Sequence, residues 1–137
     1  MFFYNFVAEI TCKDSTEVEK IGRLFDEDVC EDFIWDCGWD SDPNYLGVMI
    51  AMSLGEEDGN WMRDIESLVG RAFVDGYYCE GNKVIVSYRS AGDASKRVWE
   101  RLMSLQLGIT QIKLSVDPDE PDMVDELNDY EEVLTRC

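Results

Sequence analysis

The chain has 137 residues and a formal charge of −18, from 30 acids against 12 bases. Charge of that sign repels phosphate, which disfavours direct binding of nucleic acid and of an anionic membrane surface. The length suits one domain, with residues 1–116 as its core and 117–137 as an acidic C-terminal extension, and a hydrophobic share of 45% is enough for a sizeable interior.

At the start, Phe2, Tyr4, Phe6, Ala8, Ile10 and Cys12 alternate with Phe3, Asn5, Val7, Glu9 and Thr11. That period of two predicts a first strand with an apolar even-numbered face. Asp14 followed by Glu17 marks a helix start, with Ser15 and Thr16 as competing caps. Val18, Ile21, Leu24 and Phe25 recur at helical spacing, so the helix is expected to reach about Val29 or beyond, with Asp26, Glu27 and Asp28 on its polar side. Asp36 to Asn44, with Gly38 and Pro43, reads as a loop. Leu46, Val48, Ile50, Met52 and Leu54 alternate with Gly47, Met49, Ala51 and Ser53. Both sets are apolar or small, which predicts an interior strand.

A polar turn over Gly55–Gly59 leads to Asn60, a cap for a helix carrying Trp61, Ile65, Leu68, Val69 and Ala72 on one side. Tyr77–Cys79 and Val84–Arg89 flank Gly81-Asn82 and predict a hairpin. Asp93 caps a helix through about Leu107, with Ala94, Val98, Leu102 and Leu105 on one face and Gly108 past its end. Thr110, Ile112, Leu114 and Val116 form a final strand, broken by Pro118 and Pro121. Met123, Leu127, Tyr130 and Leu134 then recur as in a short amphipathic helix with an acidic outer side. The order predicts an α+β fold: an antiparallel or mixed sheet of about five strands, helices mainly on one side, related to the ferredoxin-like arrangement, with an acidic C-terminal helix. Phe2–Cys12, Leu46–Leu54, Val84–Arg89 and Thr110–Val116 are expected in one sheet.

The acids are unevenly spread. Leu24–Trp61 and Leu114–Thr135 contain no Lys or Arg, and together they hold 20 of the 30 acids. A disordered acidic tail lacks aromatics, yet Phe25, Phe33, Trp35, Trp39 and Tyr45 are interleaved with the first run. A folded negative surface is the expectation. Trp35, Trp39, Tyr45 and Trp61 serve either as core and loop anchors or as aromatic hot spots within an acidic rim. Lys96, Arg97 and Arg101 read as a solvated helix face, and their pairing with the acids would compete with a partner.

Chemistry is sparsely supplied. Without His, the Ser-His-Asp and Cys-His routes are closed, and no phosphate-binding glycine motif occurs. Cys12, Cys30, Cys37, Cys79 and Cys137 contain no C-x-x-C, which disfavours zinc and fits free thiols in a reducing cytoplasm. Asp40, Asp42 and Asn44 begin like a calcium loop, but Tyr45 and Ala51 stand where Gly and the bidentate Glu belong. No catalytic residue, cofactor or metal is therefore expected.

The reading that remains is a non-enzymatic acidic binding protein or inhibitor that occupies a basic, nucleic-acid-binding surface of a partner protein. In charge and size alone the chain resembles DNA-mimicking anti-restriction and anti-CRISPR proteins and toxin-immunity proteins. One candidate surface is Asp26, Glu27, Asp28, Glu31 and Asp32, with Asp36, Asp40, Asp42, Trp35 and Trp39 beside them. The other is Asp119, Asp122, Asp125, Glu126 and Asp129. The alternative is a ferredoxin-like interaction module or immunity protein whose acidity mainly serves solubility.

Overall fold

The computed structural model describes residues 4–38, 42–54, 72–90, 94–116 and 131–135. Strand β1 (Tyr4–Cys12) leads into helix α1 (Ser15–Gly22), a 3-10 turn (Arg23–Phe25), α2 (Glu27–Cys37) and α3 (Gly47–Leu54). Then follow β2 (Ala72–Glu80), β3 (Lys83–Ser90), α4 (Ala94–Leu105), β4 (Ile109–Val116) and β5 (Glu131–Thr135). The sheet order is β2-β3-β1-β4-β5, with every neighbouring pair antiparallel. Hence β1 and β2 run parallel with β3 between them, and β3 and β4 run parallel with β1 between them. That is the split βαβ of the ferredoxin-like fold, with β5 added outside β4.

The alternation of β1 sets the layers. Phe6, Ala8 and Ile10 lie opposite Tyr88, Val86 and Val84 on one side and Val116, Leu114 and Ile112 on the other. All but Val116 are buried, so one sheet face is a continuous apolar floor for the helices. The odd-numbered face keeps Asn5, Val7, Glu9 and Thr11 half-buried, and there Lys83 pairs with Glu9. Over the floor, α1 packs on β1, β2 and β3, while α3 packs against α2 on one side and α4 on the other. A row of rings crosses the interior: Phe6–Tyr88 at 5.5 Å, Tyr88–Trp99 at 5.3 Å and Phe25–Trp99 at 5.9 Å.

Three of the four segments expected in the sheet are there. The fourth is not: Leu46–Leu54 forms α3. Residues 46–51 are all buried, so no polar face marks the 3.6 period, and an apolar run of this length reads equally well as a strand. The helix begun at Ser15 also stops early. Asp26 is extended (φ −75°, ψ 122°), and its Oδ1 accepts from the backbone N–H of Asp28 (3.0 Å) and Val29 (3.3 Å), which starts a new helix. Short acidic side chains compete for backbone donors in this way, so Asp26 is a cap and not a member of the polar side. α2 then runs through Asp36, expected in a loop, and stops at Gly38, which adopts the left-handed φ of 67° that glycine accepts most readily.

Leu134, expected in a C-terminal helix, lies in β5 opposite Ile112. Met123, Leu127 and Tyr130 of that helix, and the Trp61–Val69 helix, lie outside the described residues; Ala72 begins β2.

Candidate acidic interface

Helix α2 presents its acids because its other side is anchored. Cys30 and Ile34, one turn apart, are buried, with Phe33 and Cys37 packed against the core beside them. The Cys30 thiol donates to the Leu24 carbonyl at 3.2 Å and lies 3.8 Å from the Met52 sulfur. This fixes the rotation of the helix and leaves Glu27, Asp28, Glu31, Asp32, Trp35 and Asp36 exposed. At the i, i+4 spacing they form two adjacent rows, Glu27–Glu31–Trp35 and Asp28–Asp32–Asp36, with about 5–6 Å between neighbours in a row. Trp35 is 84% exposed, the largest apolar surface offered by the described residues.

Among the described residues, ion pairs join Lys83 to Glu9 and Arg89 to Asp75, and neither involves an acid of α2. Arg97 and Arg101 are exposed on α4, and α3 packs between that helix and α2. Among the described residues, the internal pairing that would have occupied these carboxylates is not made at α2.

Of the residues singled out from sequence, Glu27, Asp28, Glu31, Asp32, Trp35 and Asp36 are brought together on one face. Asp26 is half-buried and structural: besides its two backbone contacts, Oδ2 accepts from the Tyr77 hydroxyl at 3.2 Å. Asp42 is exposed beyond the turn at Gly38. Trp39, Asp40, Asp119, Asp122, Asp125, Glu126 and Asp129 lie outside the described residues.

A concave feature at the start of α2 was not legible in the sequence. Tyr45 bridges Phe73; Leu46 N–H donates to the Ala72 carbonyl, and Val74 N–H donates to the Asn44 carbonyl. Residues 44–46 thus cover only the first part of the β2 edge. A bulge between Val74 and Gly76 then bends the strand away. The result is a cleft of about 280 Å³ lined by Phe25, Glu27, Pro43, Asn44, Val74, Asp75, Gly76 and Tyr77. The expected hairpin began only at Tyr77, so it hid both the bulge and the wall.

Nucleophilic chemistry finds little support in the thiols. Burial, then the charges of Glu17, Cys79 and Asp14, pushes the Cys12 thiol up to about 11. Burial, then Asp26 and Glu27, does the same to Cys30, also to about 11. Both are protonated at neutral pH and poor nucleophiles. Burial, then the Asp26 charge and hydrogen bond, also raises the Tyr77 phenol. Among the described residues no three His, Cys, Asp or Glu side chains are grouped to hold a metal, and no helix is long and apolar enough to cross a membrane.

Comparison of the chain with protein-family models, curated proteins and solved structures finds no match in any of the three.

Proposed function

We propose that the protein is a non-enzymatic acidic binding protein that occupies the basic, nucleic-acid-reading groove of a partner protein, as a DNA mimic does, in the manner of anti-restriction or anti-CRISPR inhibitors. One observation carries the reading: α2 displays two rows of carboxylates, free of ion pairs to described cations, around an exposed Trp35. From Glu27 to Asp36 the chain holds five acids. At 1.5 Å per residue that is one charge per about 3 Å of helix, close to the ~3.4 Å per phosphate along one strand of duplex DNA. Lys and Arg side chains that release counterions on DNA would do so against this face as well. Trp35 supplies what phosphates lack, an aromatic anchor of the kind that dominates protein interfaces. Free thiols at Cys12, Cys30 and Cys79 support a reducing cytoplasm as the place of action.

The test is affinity capture of the partner from host lysate at low and high salt, followed by association kinetics. Reversing Glu31, Asp32 and Asp36 to Lys should slow association tenfold or more, because complementary charge mainly accelerates encounter. The partner's nucleic acid should compete. A ternary complex of partner, nucleic acid and this protein defeats mimicry. Unchanged association after the reversal, with loss only on Trp35→Ala, favours the alternative, a ferredoxin-like interaction module or immunity protein whose charge is for solubility.

A further inference from the structure

We infer that the cleft between the start of α2 and the bulged edge of β2 seats a single Lys or Arg side chain of the basic partner. This deepens the acidic-face reading and rests on it. Five features of the cleft point the same way. Its size, about 280 Å³, lies just under the range of small-molecule pockets, about 300–1,000 Å³, and suits one long side chain better than a cofactor. Its walls include Phe25, Val74 and Tyr77. Lys and Arg bury their methylene stems along such apolar surface, and their cations are attracted to ring faces within about 6 Å.

The local field favours a cation. The N-terminus of α2 contributes roughly +0.5 charge, but Asp26, Glu27 and Asp28 stand within its cap and first turn, leaving about −2.5. Asp75 adds little, because its Oδ1 already takes Arg89 Nε at 2.9 Å. Glu27 is therefore the carboxylate that meets the incoming head group. β2 is also an edge strand, and among the described residues nothing pairs with its edge beyond Val74. Edge carbonyls there can accept from a guanidinium or ammonium. Finally, Glu27 belongs to both features: it lines the cleft and heads the row Glu27–Glu31–Trp35. A chain lying along α2 reaches the cleft without leaving the acidic face.

The test uses the ¹⁵N-labelled full chain and two small probes, Nα-acetyl-arginine methylamide and its uncharged analogue Nα-acetyl-citrulline methylamide. At ~0.15 M ionic strength, where charges beyond about 8 Å are screened, the arginine probe should shift the Asn44, Gly76 and Tyr77 amides saturably at millimolar concentration. The citrulline probe should bind at least tenfold more weakly. Glu27→Gln should weaken arginine binding severalfold while leaving the spectrum folded. Equal binding of the two probes, or arginine shifts that fail to saturate and spread evenly over Glu31–Asp36, overturns the cleft. The two readings fail separately. The Glu31, Asp32, Asp36 reversal leaves the cleft intact and tests only the acidic face; a partner that still binds α2 when the probes ignore the cleft removes this inference alone.

Discussion

Trp35 and Trp99 show how far position decides the meaning of a residue type. Trp99 is fully buried between Tyr88 and Phe25, whereas Trp35 is 84% exposed. Trp99→Ala should cost about 3–5 kcal/mol in urea unfolding, the usual loss for a buried aromatic. Trp35→Ala should stay within about 0.5 kcal/mol. Because the indole N–H of Trp99 is buried with no hydrogen-bond partner among the described residues, Trp99→Phe should cost much less than Trp99→Ala: it removes a donor without such a partner while keeping most of the ring. Equal losses for Trp35 and Trp99 would mean that the exposed ring is part of the core. The thiols give a pH prediction. Folding raises Cys12 and Cys30 from 9.0 to about 11. The folded state then binds protons that the unfolded state has released, so their contribution is complete below pH 9 and is lost as pH rises through 11. Urea midpoints should hold from pH 7 to 8.5 and fall above 9. The Cys12→Ala, Cys30→Ala double variant should flatten part of that fall. A fall of the same size in the double variant would assign it to Tyr77 and Lys83, whose raised values act with the same sign.

At the scale of elements, α2 is a helix held against its own charge. Glu27–Glu31, Asp28–Asp32 and Asp32–Asp36 are like pairs at i, i+4, each worth roughly 0.2–0.5 kcal/mol of repulsion. Asp32→Lys converts two of them into attractions, so it should raise stability by about 1 kcal/mol at low salt while slowing partner association. A destabilised Asp32→Lys variant would show that the carboxylates are already compensated. Asp26→Ala should go the other way by about 1–2 kcal/mol, because it removes the cap contacts and the Tyr77 hydrogen bond together. The same helix shows what sequence can reveal. Strands β1, β3 and β4 are legible because one face of each is apolar and the other half-wet, whereas β2 and β5 lack that alternation and read from sequence in part or whole as helix. The acids of α2 are legible as a base-free run, and its end is marked by Gly38. Its beginning is not, since Asp26 looks like one more acid on a polar side until its carboxylate is seen to cap Asp28 and Val29. Helix α3 is illegible for the opposite reason: burial all round erases the period. In the structure the Ser53 hydroxyl donates to the Met49 carbonyl at 2.8 Å, one helical turn back. The cleft depends on a bulge and on a pairing between residues about thirty positions apart, neither of which leaves a local pattern.

Over the whole molecule, the two layers treat charge differently. On the odd-numbered face and at the edge of the sheet, Glu9 meets Lys83 and Asp75 meets Arg89. On the helical side, the acids of α2 stand without such partners among the described residues. A chain of net charge −18 therefore repels itself when compact. Raising sodium chloride from 0.1 to 1 M shortens the screening length from about 10 to about 3 Å. That should relieve the repulsion along α2 and raise the urea midpoint. The same salt should slow association with a basic partner, because the attraction that steers encounter is screened by the same ions. Stability and association thus move in opposite directions in one titration, and both responses should shrink together in Asp32→Lys. Chloride is the proper salt, since sulfate also strengthens apolar burial and would lift the midpoint of any protein. A solvation-only role gives a different pattern: stability rises with salt while association is indifferent to it. If chloride lowers the midpoint, attraction within the fold outweighs repulsion, the α2 carboxylates are internally balanced, and the face is not available to a partner.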